Sequence, residues 1–183
     1  MTPAELRIVT LPHPVLREKA RPVDAPPISE QVAAVARRMI DLMFQAEGIG
    51  LAAPQVGLPW RLFVAHVPED PEEGRTAAAS PAECTAAPEV YLNPVLSAPS
   101  ADLEPFEEGC LSLPKIRGRV MRPSQITITA TDLTGSRFTR RAGGLLARCW
   151  QHEMDHLDGV LIIDRMLQPD RLKNRNAIKA LGG

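Results

Sequence analysis

The sequence lacks the features that would direct it to a membrane, a secretory route or nucleic acid. It has no run of 18 apolar residues, so we expect no membrane-spanning helix. Its first residues lack a basic start followed by an apolar run, so we expect no secretory signal. The formal net charge of −1 gives no overall attraction to DNA or to an anionic surface. These absences predict a cytoplasmic protein with no DNA or membrane partner.

Cysteine is scarce, and the three residues present lie in unrelated sequence settings. An odd number cannot pair completely within one chain, so a disulfide scaffold is not indicated. A reducing compartment, in which thiols stay free for metal binding or chemistry, suits the pattern better. Cys84 lies in a segment without large apolar side chains, and we expect it to be an incidental thiol.

The length of 183 residues suits a single domain spanning 1–183. The apolar share of 44% and the charged share of 23% are ordinary for a globular protein. Eighteen prolines predict long loops and an extended arm over the first 27 residues. The segment 68–88, rich in Pro, Ala and Glu, reads as an exposed flexible loop, and 169–183 reads as a polar tail.

The hydrophobic pattern predicts an α+β fold. Ser29 is a suitable cap for a helix over 30–46, whose apolar residues recur at helical spacing. A second helix is predicted over 145–157, ended by Asp158-Gly159. The run 48–57 is too rich in Gly and Pro for a regular element. Predicted strands cover 61–67, 90–96, 118–122, 125–132, 137–141 and 160–163.

The clearest chemical signal is His152-Glu153-Met154-Asp155-His156 in the second predicted helix. Residues four apart lie on one helix face, so the two imidazoles can bind one metal ion. Glu153 flanks that face, where it can contact a water on the metal. Two histidines facing solvent or packed in a core are the plain alternative, which the spacing disfavours.

A catalytic metal site needs a third protein ligand, and the residues alone leave it open. Downstream candidates are Asp158 and Asp164, since no histidine follows His156. Cys149 shares the histidine face but lies seven residues from His156, about 10.5 Å along a helix axis, so lining a pocket suits it better. Cys110 follows Gly109, which would let the backbone pass close to a neighbour, and would leave the next N–H free. A small buried thiol is the plain alternative for Cys110.

Three segments together resemble the peptide deformylase family. They are Gly48-Ile49-Gly50-Leu51-Ala52-Ala53-Pro54-Gln55, Glu108-Gly109-Cys110-Leu111-Ser112 and Gln151-His152-Glu153-Met154-Asp155-His156. Each is weak or moderate alone, but their order and spacing match the family's signatures. The resemblance extends to about Leu167 and implies antiparallel sheets packed around a central metal-binding helix, with an N-terminal helix.

The resemblance also implies the site and the reaction. The family removes the N-formyl group from the starting methionine of nascent polypeptides by attack of a metal-bound water. Glu153 would be the general acid and base, and Fe(II) would be favoured over Zn(II), Ni(II) or Co(II). The implied ligands are Cys110, His152 and His156; the implied oxyanion donors are Gln55 and the Leu111 N–H; the implied substrate contacts are Ile49, Gly50, Glu108, Gly109, Leu145 and Cys149.

Two departures from the family pattern concern the periphery. The 68–88 loop is longer than in compact bacterial members, and the short tail makes a ribosome-docking helix doubtful. The basic tail residues Arg171, Lys173, Arg175 and Lys179 indicate a solvated surface, with transient ribosome contact as the alternative.

A zinc peptidase of broad specificity and a non-catalytic metal- or peptide-binding relative are the competing functions. Glu153 and Gln55 argue against the latter because neither is needed to hold a metal.

Overall fold

The computed structural model describes residues 2–24 and 26–182. One helix, a run of strands and then further helices follow one another, the order expected for an α+β protein. They are α1 (Glu30–Gln45), β1 (Gly50–Ala52), β2 (Leu62–Ala65), β3 (Glu89–Ser97), β4 (Leu103–Cys110), β5 (Leu113–Pro123), β6 (Gln125–Thr131), β7 (Arg137–Gly143), α2 (Gly144–Leu157), α3 (Ile162–Arg165) and α4 (Gln168–Ala180). Within these described residues, no helix is long and apolar enough to cross a membrane.

Two antiparallel sheets surround α2. The larger has the strand order β1-β2-β3-β6-β7, and β4 pairs with β5 in a separate hairpin. Every pairing between these described strands is antiparallel, and no α-helix connects two paired strands; β3 and β6 are joined through the β4–β5 hairpin. The predicted fold class, antiparallel sheets around a central helix with an N-terminal helix, is confirmed.

Helix α2 lies at the centre of the fold, and its apolar and many of its polar side chains are buried. Leu146 and Trp150 are fully buried and belong to the same cluster as Phe63 and Tyr91 of the larger sheet. The helix ends at Leu157, and Gly159 just beyond it has a left-handed φ of 73°. A side chain there would meet the Arg17 backbone, so glycine is required by both conformation and space. The chain therefore presents a rigid, buried helix on which side chains can be held in place.

Helix α1 forms as its sequence predicts. The Ser29 hydroxyl accepts a hydrogen bond from the Val32 N–H at 3.3 Å, and this satisfies one of the free donors of the first turn. The apolar stripe is buried against β1 and β2, where Met39 and Met43 are fully enclosed. This packing supports the segment that leads into β1 and hence the wall of the site.

Several predicted elements were wrong. The segment 160–163 is not a strand, because Ile162 and Ile163 begin the short helix α3. The tail from Pro169 is mostly helix α4. The run 48–57 contains strand β1 and a 3-10 turn, Ala53–Val56. The arm also contains two 3-10 turns, and Leu16 in the second of them is fully buried.

Candidate metal centre and active site

Three residues far apart in sequence bring their metal-binding atoms together. Cys110 lies at the end of β4, just after a register shift between Gly109 and Cys110, and His152 and His156 lie one turn apart on α2. The three ligand atoms are all within 4.8 Å of one another. The Cys110 Sγ is 3.2 Å from the His156 Nε2. The register shift turns the thiol from the hairpin toward the helix.

The spacing of these atoms fits a divalent ion. A tetrahedral centre with bonds of about 2.3 Å to sulfur and about 2.0 Å to nitrogen separates neighbouring ligand atoms by roughly 3.3–3.6 Å. The Cys110–His156 distance is close to that value, and only a small adjustment would bring His152 into the same shell. One thiolate and two imidazoles leave a fourth position free for water or substrate.

A carboxylate fixes the ring of His152. The His152 Nδ1 lies 3.0 Å from the Glu108 Oε2. Burial alone would raise the pKa of Glu108, but hydrogen bonds from Arg122 and His152 outweigh it and hold that pKa far below its ordinary range. Because an ionised carboxylate only accepts hydrogen bonds, the Nδ1 carries the proton and the Nε2 is free to bind a metal.

His156 is held differently. It is 1% exposed, and its Nδ1 has no hydrogen-bond partner among the described residues. Burial lowers its pKa well below the ordinary value, and the charge that His152 carries whenever it is protonated lowers this pKa further. A neutral imidazole is the form that binds a metal, so His156 is poised as a ligand by its surroundings.

Glu153 lies beside the ligands with an unused oxygen. It is 3% exposed, and its Oε2 has no partner among the described residues. Burial raises its pKa to about 7. Glycine at position 50 makes room for it, because a Cβ there would meet both the Glu153 carboxylate and the Cys149 sulfur. An acidic group of this pKa is suited to taking and returning protons near neutral pH.

Gln55 points its amide nitrogen at the ligand cluster. Its Oε1 accepts a hydrogen bond from the Ala52 N–H at 2.8 Å, which sets the orientation of the amide. Its Nε2 then faces the Ser112 hydroxyl at 3.4 Å and the Cys110 sulfur at 3.6 Å. Within the described chain, the Leu111 N–H makes no backbone hydrogen bond. Two donors are thus available close to the thiol.

A cavity of about 570 Å³ opens beside these groups. Ile49, Leu145 and Cys149 supply apolar wall, and Phe106 lies farther out. The Cys149 Sγ donates to the Ile49 carbonyl at 3.4 Å, and burial raises the pKa of this thiol well above its ordinary value. Cys149 is not part of the ligand group. Its position agrees with a pocket-lining role.

Three further residues considered from the sequence, Asp158, Asp164 and Gly109, are not part of the ligand cluster. Asp158 pairs with Arg61 and Asp164 pairs with Arg17, so neither reaches the ligand cluster. Gly109 lines the cavity, but a Cβ there would make only ordinary contacts at 3.6 Å or more. No described protein group therefore requires glycine at position 109.

Sequence reasoning missed a buried ion network behind the site. Arg122 binds both Glu108 oxygens, at 2.7 and 2.9 Å, and also Asp155 at 2.8 Å. Arg148 also donates to Glu108, at 2.8 Å. The alternation of β5 contained a signal for Arg122, since this residue falls on the same strand face as the buried Val120.

The comparisons with known proteins agree with this geometry. Residues 5–172 match the family model described as polypeptide deformylase. The chain belongs to this family. A peptide deformylase of Maricaulis maris is 41% identical over 172 residues, which are 94% of this chain and 89% of the relative.

Solved peptide deformylases have the same fold. The enzyme of Ehrlichia chaffeensis superposes with a TM-score of 0.85 at 31% identity, covering 97% of this chain and 94% of that one. The enzyme of Synechococcus elongatus, solved in complex with actinonin, gives a TM-score of 0.80 at 36% identity, covering 97% and 86%. Peptide deformylases are metal-dependent hydrolases that remove the N-formyl group from nascent polypeptides, and this chain is an enzyme of that class. The predicted function is confirmed, and the peptidase and non-catalytic alternatives are set aside.

Proposed function

We propose that Cys110, His152 and His156 hold one catalytic divalent ion and that Glu153 moves the protons of deformylation. The observation that carries this assignment is the convergence of the three ligand atoms within 4.8 Å beside the unpaired, buried carboxylate of Glu153. The substrate is the formamide at the start of an N-formyl-methionyl polypeptide. Water adds to the formyl carbon, the carbon–nitrogen bond breaks, and formate and a free amine leave.

The donor set limits the identity of the ion. A thiolate with two imidazoles suits Fe(II), Zn(II), Ni(II) and Co(II), whereas Mg(II) and Ca(II) prefer oxygen ligands. We propose Fe(II), as the family resemblance favours, with the other three as working substitutes. When bound, such an ion supplies Lewis-acid activation of water and of the formyl carbonyl at neutral pH.

Glu153 accepts the proton of the attacking water and then delivers it to the leaving amine. Its buried position and raised pKa suit both steps, because the carboxylate and the carboxylic acid are then of similar stability near pH 7. Its Oε2 has no competing donor among the described residues. Gly50 leaves the space in which the carboxylate can meet the formyl group.

Gln55 and Leu111 hold the oxygen that becomes negative as water adds. The Gln55 Nε2 is already directed at the cluster by the Ala52 N–H, so little reorganisation is needed in the transition state. The Leu111 N–H supplies a second donor next to the thiol. Donors fixed in this way contribute to the rate because they meet the charge only as it develops.

The methionine side chain occupies the apolar part of the cavity. Ile49, Leu145 and Cys149 form its walls, and the polarizable thioether of methionine packs well against such surfaces. Gly109 lies along the substrate backbone. Glu108 also lines the cavity, but its carboxylate is engaged by Arg122, Arg148 and His152, so its main contribution is to orient the His152 ring.

We propose further that the whole chain, 1–183, is one catalytic domain that acts on nascent chains in the cytoplasm. The exposed basic side chains of α4 are available for a transient contact with the ribosome. The helix itself is tied to the hairpin, because Asp170 accepts hydrogen bonds from the Arg119 backbone and side chain at 3.0 and 2.8 Å. Any such contact would therefore be made by a fixed surface.

Deformylation is tested with formyl-Met-Ala-Ser and its acetylated twin, assayed anaerobically alongside metal analysis. We expect turnover of the formyl peptide only. Glu153→Gln should retain the metal and lose about 10²–10⁴-fold in kcat. Loss of metal from this variant, or rapid turnover by it, would contradict the role given to Glu153.

The ligand assignment is tested with a matched pair of cysteine variants. Cys110→Ser should reduce bound metal strongly, because serine does not ionise to a soft ligand at neutral pH. Cys149→Ser places a similar change in the same cavity and should leave metal content unaltered. The opposite pattern would show that the ligand has been misassigned.

A further inference from the structure

A continuous series of charged groups connects a second cavity to His152. Arg165 binds Asp155 through two hydrogen bonds of 2.9 and 2.8 Å. Asp155 accepts from Arg122 at 2.8 Å, and Arg122 grips both oxygens of Glu108. Glu108 in turn accepts from the His152 Nδ1 at 3.0 Å. Only Arg165 at the outer end of this series is substantially exposed.

From this arrangement we propose that Arg165 is a positioning residue that acts on His152 through Asp155, Arg122 and Glu108, and thereby sets how firmly the ion is retained. The inference rests on the proposed function, in which His152 is a ligand. It adds Arg165, which lies ten positions after Asp155 in the chain and is not one of the proposed ligands or substrate contacts.

The centre of the series cannot relax into water. The side chains of Arg122 and Glu108 are 4% and 5% exposed. The guanidinium of Arg122 spans two carboxylates, so its position depends on both. If Asp155 moves, Arg122 must either leave a donor unpaired or shift with it, and an unpaired buried charge is strongly unfavourable. A shift of Arg122 carries Glu108 with it and turns the His152 ring.

Arg165 restrains Asp155 at both oxygens. The Asp155 Oδ1 accepts only from the Arg165 Nη2 among the described residues, and the Oδ2 is shared between Arg165 and Arg122. Without Arg165 the carboxylate keeps one donor and can rotate about it. A planar, bidentate guanidinium prevents that rotation, whereas a lysine ammonium would supply charge without the fixed geometry.

A neighbouring ion pair offers a matched control. The second cavity, of about 440 Å³, is lined by Arg165 and Asp155 and also by Arg61 and Asp158. The Arg61 Nη1 donates to the Asp158 Oδ1 at 2.9 Å. Among the described residues, neither side chain of this pair bonds to a side chain of the series that ends at His152. Both pairs join the C-terminal end of α2 to another segment. Only the Arg165–Asp155 pair is hydrogen-bonded to the series that reaches His152.

The experiment measures release of Co(II) or Zn(II) from the loaded protein to an excess of chelator. Arg165→Gln should accelerate release about 2- to 30-fold, the range expected for a residue coupled to a distant site. Arg61→Gln should leave the release rate within twofold of wild type. Arg165→Lys should restore only part of the retention. The metal-free melting temperatures of the two glutamine variants should differ little, because both remove partly exposed pairs.

Asp155→Asn is the second probe, since it keeps the shape of the side chain and weakens the same link. It should accelerate release, and adding Arg165→Gln to it should produce little more, because both changes break one path. Equal release rates for wild type, Arg165→Gln and Arg61→Gln would overturn the inference. So would full additivity in the double variant.

A His152→Ala variant separates the two hypotheses. If it retains the ion as tightly as wild type, His152 is not a ligand and the proposed function itself fails. If it loses the ion while Arg165→Gln releases it at the wild-type rate, the ligand assignment stands and only the positioning role of Arg165 is refuted.

Discussion

Gly50 lies directly against the carboxyl group of Glu153. A Cβ built on Gly50 would lie 2.8 Å from the Glu153 Cδ and 2.9 Å from the Cys149 Sγ, closer than real side chains pack. The backbone at Gly50 does not require a left-handed conformation, so space alone imposes glycine here. The first strand of the larger sheet and the central helix therefore meet at the group that we propose transfers protons.

Gly50→Ala should displace the Glu153 carboxylate while leaving the ligands in place. Misplacement of a reacting group by about 1 Å can reduce the rate on the order of 10²-fold, and we expect a fall of that size in kcat. Metal content should remain that of wild type, because the atoms nearest to the added methyl group belong to Glu153 and Cys149 and not to a ligand residue. Full activity of this variant would mean that Glu153 can act from another position.

Gln55→Leu should remove one donor for the developing oxyanion. We expect a loss of about 10²–10³-fold in kcat with a smaller change in KM. The variant also leaves the buried Ala52 N–H without its acceptor, which should lower the free energy of unfolding by about 1–3 kcal/mol in urea denaturation. Ser112→Ala is the control, because it removes only a 3.4 Å neighbour of the Gln55 amide. Comparable losses in the two variants would argue against an oxyanion role for Gln55.

Helices were more predictable from the sequence than the other elements. The ends of α1 and α2 agree with the prediction to within one residue, because a serine cap, a glycine stop and a 3.6-residue period are local signals. The apolar run 160–163 was too short to distinguish a strand from the start of a helix. Strand β4 was not recognised, because most of its residues are exposed and its burial does not alternate.

Helix α4 and the ion network depend on contacts that no local pattern contains. Helix α4 has few apolar residues, and it docks through Ile178 and through the bond between Asp170 and Arg119, 51 residues apart. The histidine pair was evident from its spacing alone. The choice of Cys110 as its companion needed the family resemblance, because the register shift that aims this thiol is a tertiary feature.

The pH dependence of stability can test whether the Tyr91 phenol is buried and has a raised pKa. Its ring stacks on Phe63 and its hydroxyl contacts Glu89, and burial together with the Glu89 charge raises its pKa well above 10. In the unfolded chain the phenol ionises near pH 10, but in the folded chain it stays neutral. The stability that depends on neutral Tyr91 is thus complete below pH 10 and is lost as pH rises above it.

Tyr91→Phe should therefore lower the free energy of unfolding by about 1–2 kcal/mol at pH 7.5, because the hydroxyl donates a hydrogen bond to Glu89 and accepts one from Arg140. The difference from wild type should shrink at pH 10.5, where only the wild type is penalised. Tyr91 is the only tyrosine in the chain, so its ionisation can be followed directly by ultraviolet absorbance. A normal phenol titration in the folded protein would refute the raised pKa.

The register shift at Cys110 has a mechanical consequence. The thiol belongs to the two-stranded hairpin and the imidazoles belong to the central helix, and Cys110 and His156 are 46 positions apart in the chain. An ion bound by all three would cross-link the β4–β5 hairpin to helix α2. Stripping it should let the hairpin loosen first, so amide hydrogen exchange should quicken along β4 and β5 before the five-stranded sheet is affected.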